Sequence, residues 1–413
     1  MISNNSSLSN PIPLSEGSPA RATQPSALPQ PSDKIESTPI EFSGTGSEYF
    51  RIWIVNLLLI MVTFGIYYPW AKVRKLKYFY NNTQIDGHAL EFHGEAKKML
   101  RGTLIVGVLF SIYSVAAEFS LIAGLIAVAV LIAIAPVLFR AAMRFRLANT
   151  SWRGMRMRFA APDLTEAYWT IAPALAMFLL PGFVLAFLAE EPAGKNTALP
   201  IGTTGLGLYV LAMAIAIPYF FWRLKRYQHN HYAWGPLKTE YRSAVGATYK
   251  VFGRTLLTAL LIAAAFMAIA YTLLPAQVGS TRSWSRNLAV LAGLLLPLLL
   301  VFFITINILP RAYFTATMQN LIWSRTGNRY FRFKSDLAAP RFIGLQFKNY
   351  FLILITFGLY WPFAVINTTR MRLEAISLKS RIALDKLTDA ARARENDAAG
   401  DMAADIFGFD VGM

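Results

Sequence analysis

Asn82-Thr83-Gln84-Ile85-Asp86-Gly87 returns as Asn149-Thr150-Ser151-Trp152-Arg153-Gly154 and again as Asn230-His231-Tyr232-Ala233-Trp234-Gly235. A looser fourth copy runs from Asn320 to Gly327. Each copy follows a long apolar segment that ends in basic and aromatic residues. Apolar runs of roughly 20 residues are membrane spans rather than soluble cores. The pattern therefore predicts a mainly α, polytopic membrane protein built from repeated units, with one motif at each membrane exit.

Within each copy the Asn suits a helix C-cap in the left-handed conformation. The Gly five residues later suits a tight turn, and Asp86-Gly87 is a strong hairpin signal. The strand after the turn alternates, with Met155, Met157 and Phe159 against Arg156 and Arg158, and Phe331 and Phe333 against Arg332 and Lys334. Period-two alternation marks a half-buried strand, so the apolar face is expected against the helix ends and the basic face toward solvent. Two-stranded hairpins are marginal alone, so the copies are expected to pair into a small sheet or collar beneath the helices.

Composition agrees with a membrane protein. Of 413 residues 55% are hydrophobic and only 15% charged, whereas soluble domains carry about 25% charged residues. The net charge of +17 suits nucleic acid, anionic lipid or positive-inside membrane loops. There is no cysteine, which excludes disulfides, thiolate catalysis and Cys metal sites. Residues 1–40, rich in Ser and Pro, read as a disordered tail without the basic and apolar regions of a cleaved signal peptide. The repeat-built membrane body is expected over 41–375. Residues 376–413 read as a charged, solvated C-terminal helix and tail.

Eight apolar segments are expected near 50–68, 103–117, 119–139, 168–188, 204–222, 255–275, 288–309 and 347–363. Glu118, the one charge between Leu104 and Phe139, falls where two spans must turn. The four motif-bearing loops carry 27 Lys and Arg residues, and the alternating loops carry three. That asymmetry puts the motif loops in the cytoplasm. Segments one and eight resemble each other: NLLLIMVTFGIYYPWA from Asn56 to Ala71 and NYFLILITFGLYWPFA from Asn349 to Ala364. Glu41-Phe42-Ser43-Gly44 also resembles Glu91-Phe92-His93-Gly94. All constraints are met if both like segments enter and leave on the cytoplasmic face, since Gly and Pro supply the break a re-entrant segment needs. The expected architecture is six transmembrane helices in three hairpins plus two re-entrant or interfacial segments, with both termini cytoplasmic. The alternative is eight full spans.

The run FSGTGSEYFRIWIVNLLLIMVTFGIYYPWAKVRKLKYFYNNTQIDGHALEFHG, from Phe42 to Gly94, resembles the opening of the YjgN family of bacterial inner-membrane proteins of uncharacterised function. The resemblance covers about residues 40–375, and its TFGIYYPWAKVR block is specific. At the second block Val365-Ile366-Asn367 stands in place of Lys72-Val73-Arg74. The resemblance implies a multi-pass protein of the bacterial inner membrane and supplies no activity, substrate or catalytic residue.

No motif for a phosphate loop, a nucleophile elbow or HExxH is present, so catalytic and cofactor residues are expected to be none. The four histidines, His88, His93, His229 and His231, lack acidic or Cys partners at ligand spacing. They read as amphipathic surface residues rather than a metal site. Nucleic acid is not expected as a partner, because the charge is spread over four tethered loops. The bilayer is, and anionic lipid suits the basic, Trp- and Tyr-rich face. Two Asn-started, Gly/Pro-broken segments in corresponding positions resemble the discontinuous helices of transporters. A transporter or channel-like protein is thus the first expectation, with a pathway near Asn56, Thr63, Gly65, Tyr67 and Pro69 and near Asn349, Thr356, Gly358, Tyr360 and Pro362. The second is a non-transporting scaffold or anionic-lipid-interacting protein. The motif residues Asn82, Gly87, Asn149, Gly154, Asn230, Gly235, Asn320 and Gly327 are expected to be structural.

Overall fold

The computed structural model describes residues 35–189, 198–273 and 284–394. The loop with Glu190, Glu191 and Lys195, the loop residue Arg282 and the tails before residue 35 and after residue 394 lie outside them.

The described chain is mostly helical. Its ten long helices come as five consecutive pairs. These are α1 (Gly46–Val62) with α2 (Tyr68–Asn81), α3 (Ala96–Phe119) with α4 (Leu121–Ala148), α5 (Thr165–Ala189) with α6 (Ala198–Asn230), α7 (Val245–Leu273) with α8 (Trp284–Ser324), and α9 (Ala339–Ile355) with α10 (Trp361–Glu374). Five of them, α3, α4, α6, α7 and α8, are long and apolar enough to cross a membrane. The apolar windows of α3 and α7 bury nothing inside the molecule, which is stable only if lipid or another apolar phase covers them. The expected span 168–188 falls in α5. Glu118 is exposed and lies beside the tight α3–α4 turn at Ser120, as the hairpin reading requires.

The two TFGxYxP segments are helical hairpins. The start of α1 meets the end of α2, where Thr45 N donates to the Tyr78 hydroxyl at 2.9 Å and Ser43 N to Asn82 O at 3.0 Å. At the turn, Thr63 Oγ1 donates to Leu59 O and accepts from Tyr67 N. Thr356 does the same with Leu352 O and Tyr360 N. Phe64 and Gly65 take φ of 48° and 89°, and Phe357 and Gly358 49° and 90°. Pro69 and Pro362 sit in the first turn of the returning helix, where proline is well placed.

Between the helices run eleven strands: β1 (Glu36–Phe42), β2 (Thr83–Ile85), β3 (His88–Phe92), β4 (Thr150–Trp152), β5 (Met155–Phe159), β6 (Tyr232–Trp234), β7 (Leu237–Lys238), β8 (Glu240–Tyr241), β9 (Thr326–Gly327), β10 (Phe331–Ser335) and β11 (Ile376–Ser380). They pair antiparallel in the order β7-β6-β5-β4-β3-β2-β1-β11-β10-β9-β8. The two end members are halves of one stretch, residues 237–241, divided at Thr239. β7 pairs with β6, β8 pairs with β9, and Thr239 N continues the β6 ladder onto Tyr232 O at 2.8 Å. The sheet therefore closes into a barrel, which removes the exposed edges that invite aggregation.

The collar expected from four hairpins thus has five. The fifth pair is made by the first and last described strands. β1 pairs with β11 through Glu36–Pro39 and with β2 through Ile40–Phe42. Residues 36–40, expected in the tail, belong to this strand. Residues 376–380, expected at the head of a solvated helix, are β11, because their alternating Ile376 and Leu378 point into the barrel. The apolar strand faces divide: Phe159 and Tyr241 pack on helix ends as expected, against Tyr227 and Trp222, and others line the barrel interior. Phe331, Met155 and Leu378 are buried there, while Arg156 and Arg332 on the other face are exposed.

Residues 384–394 form the expected helix, but it is not solvated. Leu387 and Ala391 are fully buried against Trp152, Trp234 and Phe331. This helix seals the barrel mouth away from the long helices. Arg153 holds it, bonding Asp385 at 2.5 Å and Asp86 of the neighbouring turn at 2.6 Å, with its guanidinium over the Trp152 ring.

Candidate functional site

Four of the five outgoing helices end in the same way. Thr83 Oγ1 donates to Phe79 O, Thr150 Oγ1 to Arg146 O and Thr326 Oγ1 to Ile322 O, four residues back each time. At the third copy His231 Nδ1 takes that place on Tyr227 O. The preceding Asn82 and Asn149 are not left-handed: their φ values are −93° and −94°. Instead each side-chain amide donates to the carbonyl four residues before it, satisfying a helix-end acceptor. Asn230 Oδ1 accepts from Tyr241 N.

The turns follow. Asp86-Gly87 and Arg153-Gly154 have both residues at positive φ, the two-residue hairpin geometry that matches strand twist. Gly235 is also at positive φ. The fourth copy is out of the expected register. Asn320 lies inside α8, where its Oδ1 accepts from Leu337 N and Ser335 Oγ. Gly327 is a strand residue, and Asn328 makes the turn. The true equivalent of Asn82-Thr83 is Arg325-Thr326, because helix-end bonding sets the register rather than Asn-to-Gly spacing.

These helix ends and strands surround an axial cavity of about 780 Å³ to which all five hairpin units contribute. Its wall is mainly apolar, from Ile85, Met157, Leu237, Phe333 and Leu373 among others. Three cations reach it from three separate helices: Arg146 of α4, Lys225 of α6 and Arg372 of α10. No Asp or Glu lines it. Each cation bonds a neutral group: Arg146 Nε the Tyr80 hydroxyl at 3.1 Å, Lys225 Nζ Gln228 Oε1 at 3.0 Å, Arg372 Nε Gln319 Oε1 at 2.8 Å. Burial pushes the Tyr232 phenol up to about 12, with Arg146 opposing, so it stays a neutral hydroxyl on the wall.

The histidines are not surface residues as a set. His229 and His231 are buried. His229 Nδ1 meets Thr326 Oγ1 at 2.9 Å on the cavity wall, and His231 Nε2 meets Glu166 at 3.2 Å. His93 bonds Ser151, and His88 the carbonyl of Asp86. They are dispersed around the collar. Among the described residues no group of three metal-ligating side chains converges.

None of the ten candidate pathway residues lines the axial cavity. Asn349 is buried and donates toward Ala364 O and Thr368 Oγ1. Asn56 is buried too, and the side-chain oxygens of both Asn lack a partner. Thr63, Gly65, Thr356 and Gly358 shape the hairpin turns, Pro69 and Pro362 open the returning helices, and Tyr67 and Tyr360 stack on Trp70 and Phe363. The sequence reading missed Arg146, Lys225 and Arg372. Position offered a signal for two of them: Arg146 and Arg372 each lie four residues before their strand's first residue, but the fifth copy at 376 lacks the Asn and Gly that mark the others.

A family model described as "Bacterial protein of unknown function (DUF898)" matches residues 37–406. Three curated relatives are similar, each named inner membrane protein YjgN. That of Escherichia coli (strain K12) is 24% identical over 46% of this chain and 50% of its own length. A second Escherichia coli strain's is 30% identical over 30% of this chain and 32% of its own length. That of Salmonella typhimurium is 22% identical over 79% of this chain and 84% of its own length. The chain thus spans half or less of the first two relatives that it matches. No solved structure matches it significantly.

Proposed function

The chain belongs to this DUF898 family, and from that premise we propose that it is a non-enzymatic, transporter- or channel-like protein of the bacterial inner membrane. In this reading α3 to α8 make six spans in three hairpins. The α1–α2 and α9–α10 hairpins are re-entrant, and the collar and both termini are cytoplasmic. The distribution of 27 basic residues on collar loops against three on the opposite loops supports that sidedness. Phe64 and Phe357, at the hairpin tips, are 96% and 98% exposed, as residues dipping into lipid should be.

The observation that carries the reading is the cavity on the barrel axis, reached by all five units and sealed at one mouth by residues 382–391. The pathway belongs there rather than at the TFGxYxP turns. The test is flux of small organic anions into liposomes holding the purified protein. It should exceed empty vesicles and fall to their level when Leu147→Trp fills the cavity. Flux no greater than in empty vesicles would end the transport reading.

A second reading, a lipid-interacting scaffold, is favoured by one feature. A groove of about 360 Å³ on the outer collar is lined by Arg242, Arg329, Arg332 and Lys379. Burial, with Arg242 and Arg381 nearby, holds the Arg332 guanidinium below its usual pKa. Clustered cations near a membrane surface attract anionic lipid. Retention of phosphatidylglycerol that vanishes in Arg332→Glu would support it.

A further inference from the structure

We propose that the axial cavity is a binding site for a phosphate ester with an apolar body, its phosphate held by Arg146, Lys225 and Arg372. This rests on the axial reading above and names its ligand class.

Three arguments carry it. First, three cations converge from α4, α6 and α10 with only neutral partners, and no carboxylate lines the wall. Lys225 is half-buried and Arg146 and Arg372 are exposed, yet no carboxylate neutralises any of them on this wall, so an arriving anion supplies the missing counter-charge. Second, the chemistry favours phosphate. Two guanidiniums present forked donors matched to phosphate oxygens, and the lysine adds a point charge. One neutral donor stands on the same wall, the Tyr232 hydroxyl. Third, the space is that of an organic ligand. About 780 Å³ lies within the 300–1,000 Å³ usual for drug-sized ligands. The remaining wall is apolar, with Met157, Leu237 and Phe333 facing the cavity from the barrel. A bare inorganic anion would leave that surface uncovered.

Two sources offer this chemistry: the headgroup of an anionic phospholipid, or a soluble phosphate monoester. The outer groove is a separate surface, so its residues serve as the control. The experiment is native mass spectrometry of the full-length protein, released from vesicles of phosphatidylethanolamine with phosphatidylglycerol. Parallel samples contain hexyl phosphate, and others inorganic phosphate. The double variant Arg146→Gln/Arg372→Gln should lose at least tenfold of the retained phosphatidylglycerol or hexyl phosphate. Arg332→Gln/Lys379→Gln in the outer groove should retain it. A loss confined to phosphatidylglycerol makes the source a lipid, and a loss confined to hexyl phosphate makes it soluble. Inorganic phosphate held as well as either ester would overturn the apolar body. Equal retention in the cavity variant and the parent would overturn the site, as would loss in the outer variant alone. Should the double variant not fold, Lys225→Met takes its place under the same criteria. Ester binding without flux would keep this site while removing the transport reading.

Discussion

At the scale of the residue, the turn glycines give the sharpest test. Gly154 has φ of +79°, and an added Cβ would meet only the tip of Arg392 at 3.8 Å. Any cost of a side chain there is therefore backbone strain, not crowding. Gly154→Val should lose about 1–3 kcal/mol, seen as a lower melting temperature in detergent. Wild-type stability would mean that the turn tolerates negative φ. The Gly of the EFxG pieces acts differently. At Gly44 and Gly94 an added Cβ would fall within 3 Å of the Phe42 or Phe92 ring two residues earlier. The ring covers the backbone at the point where strand gives way to helix, so the two motifs resemble each other for a packing reason.

At the scale of the element, the C-terminal helix is the part whose loss should be separable. Leu387 is fully buried in the barrel mouth, and Leu→Ala in a packed core typically costs about 2–5 kcal/mol. Because this helix docks as a unit, Leu387→Asp should expose residues 381–394 to limited proteolysis. The long helices, packed elsewhere, should stay protected. Uniform protection of the variant would contradict the docking. The TFGxYxP hairpins give a second test, helped by a chain without cysteine. Phe357→Cys should resist membrane-impermeant thiol reagents added to intact cells, and Asp336→Cys, exposed on the collar, should label only after the cells are opened. Labelling of Phe357→Cys from outside would replace the re-entrant hairpin by a full span.

At the scale of the whole molecule, the first and last described strands, β1 and β11, pair antiparallel. Removing residues 35–42 would therefore open the barrel rather than trim a tail. Such a truncation should lower the abundance of the entire protein, as judged by membrane-fraction blots. Reporter fusions at residues 1 and 413 should both read cytoplasmic, since β1 and β11, the first and last described strands, both belong to the collar. An external signal at either end would return the eight-span alternative.

The sequence by itself determined the class of the protein, because hydropathy and basic-residue asymmetry are summed over many residues and need no partners. It also determined the hairpins at Asp86-Gly87 and Arg153-Gly154, since turn geometry is local and written in residues that tolerate positive φ. It misread the fourth copy, where Asn320 and Gly327 keep the spacing while Arg325-Thr326 keeps the hydrogen bonds. Only the tertiary structure decided that the hairpins number five and close into a barrel, because β1 and β11 pair across more than 330 residues and no local pattern carries such a register. It alone decided the site. Arg146, Lys225 and Arg372 are ordinary loop-side cations in the chain, of the same types as those around them. What sets them apart is the closure of the ring, which brings three distant helix ends to one axis and leaves no carboxylate beside them.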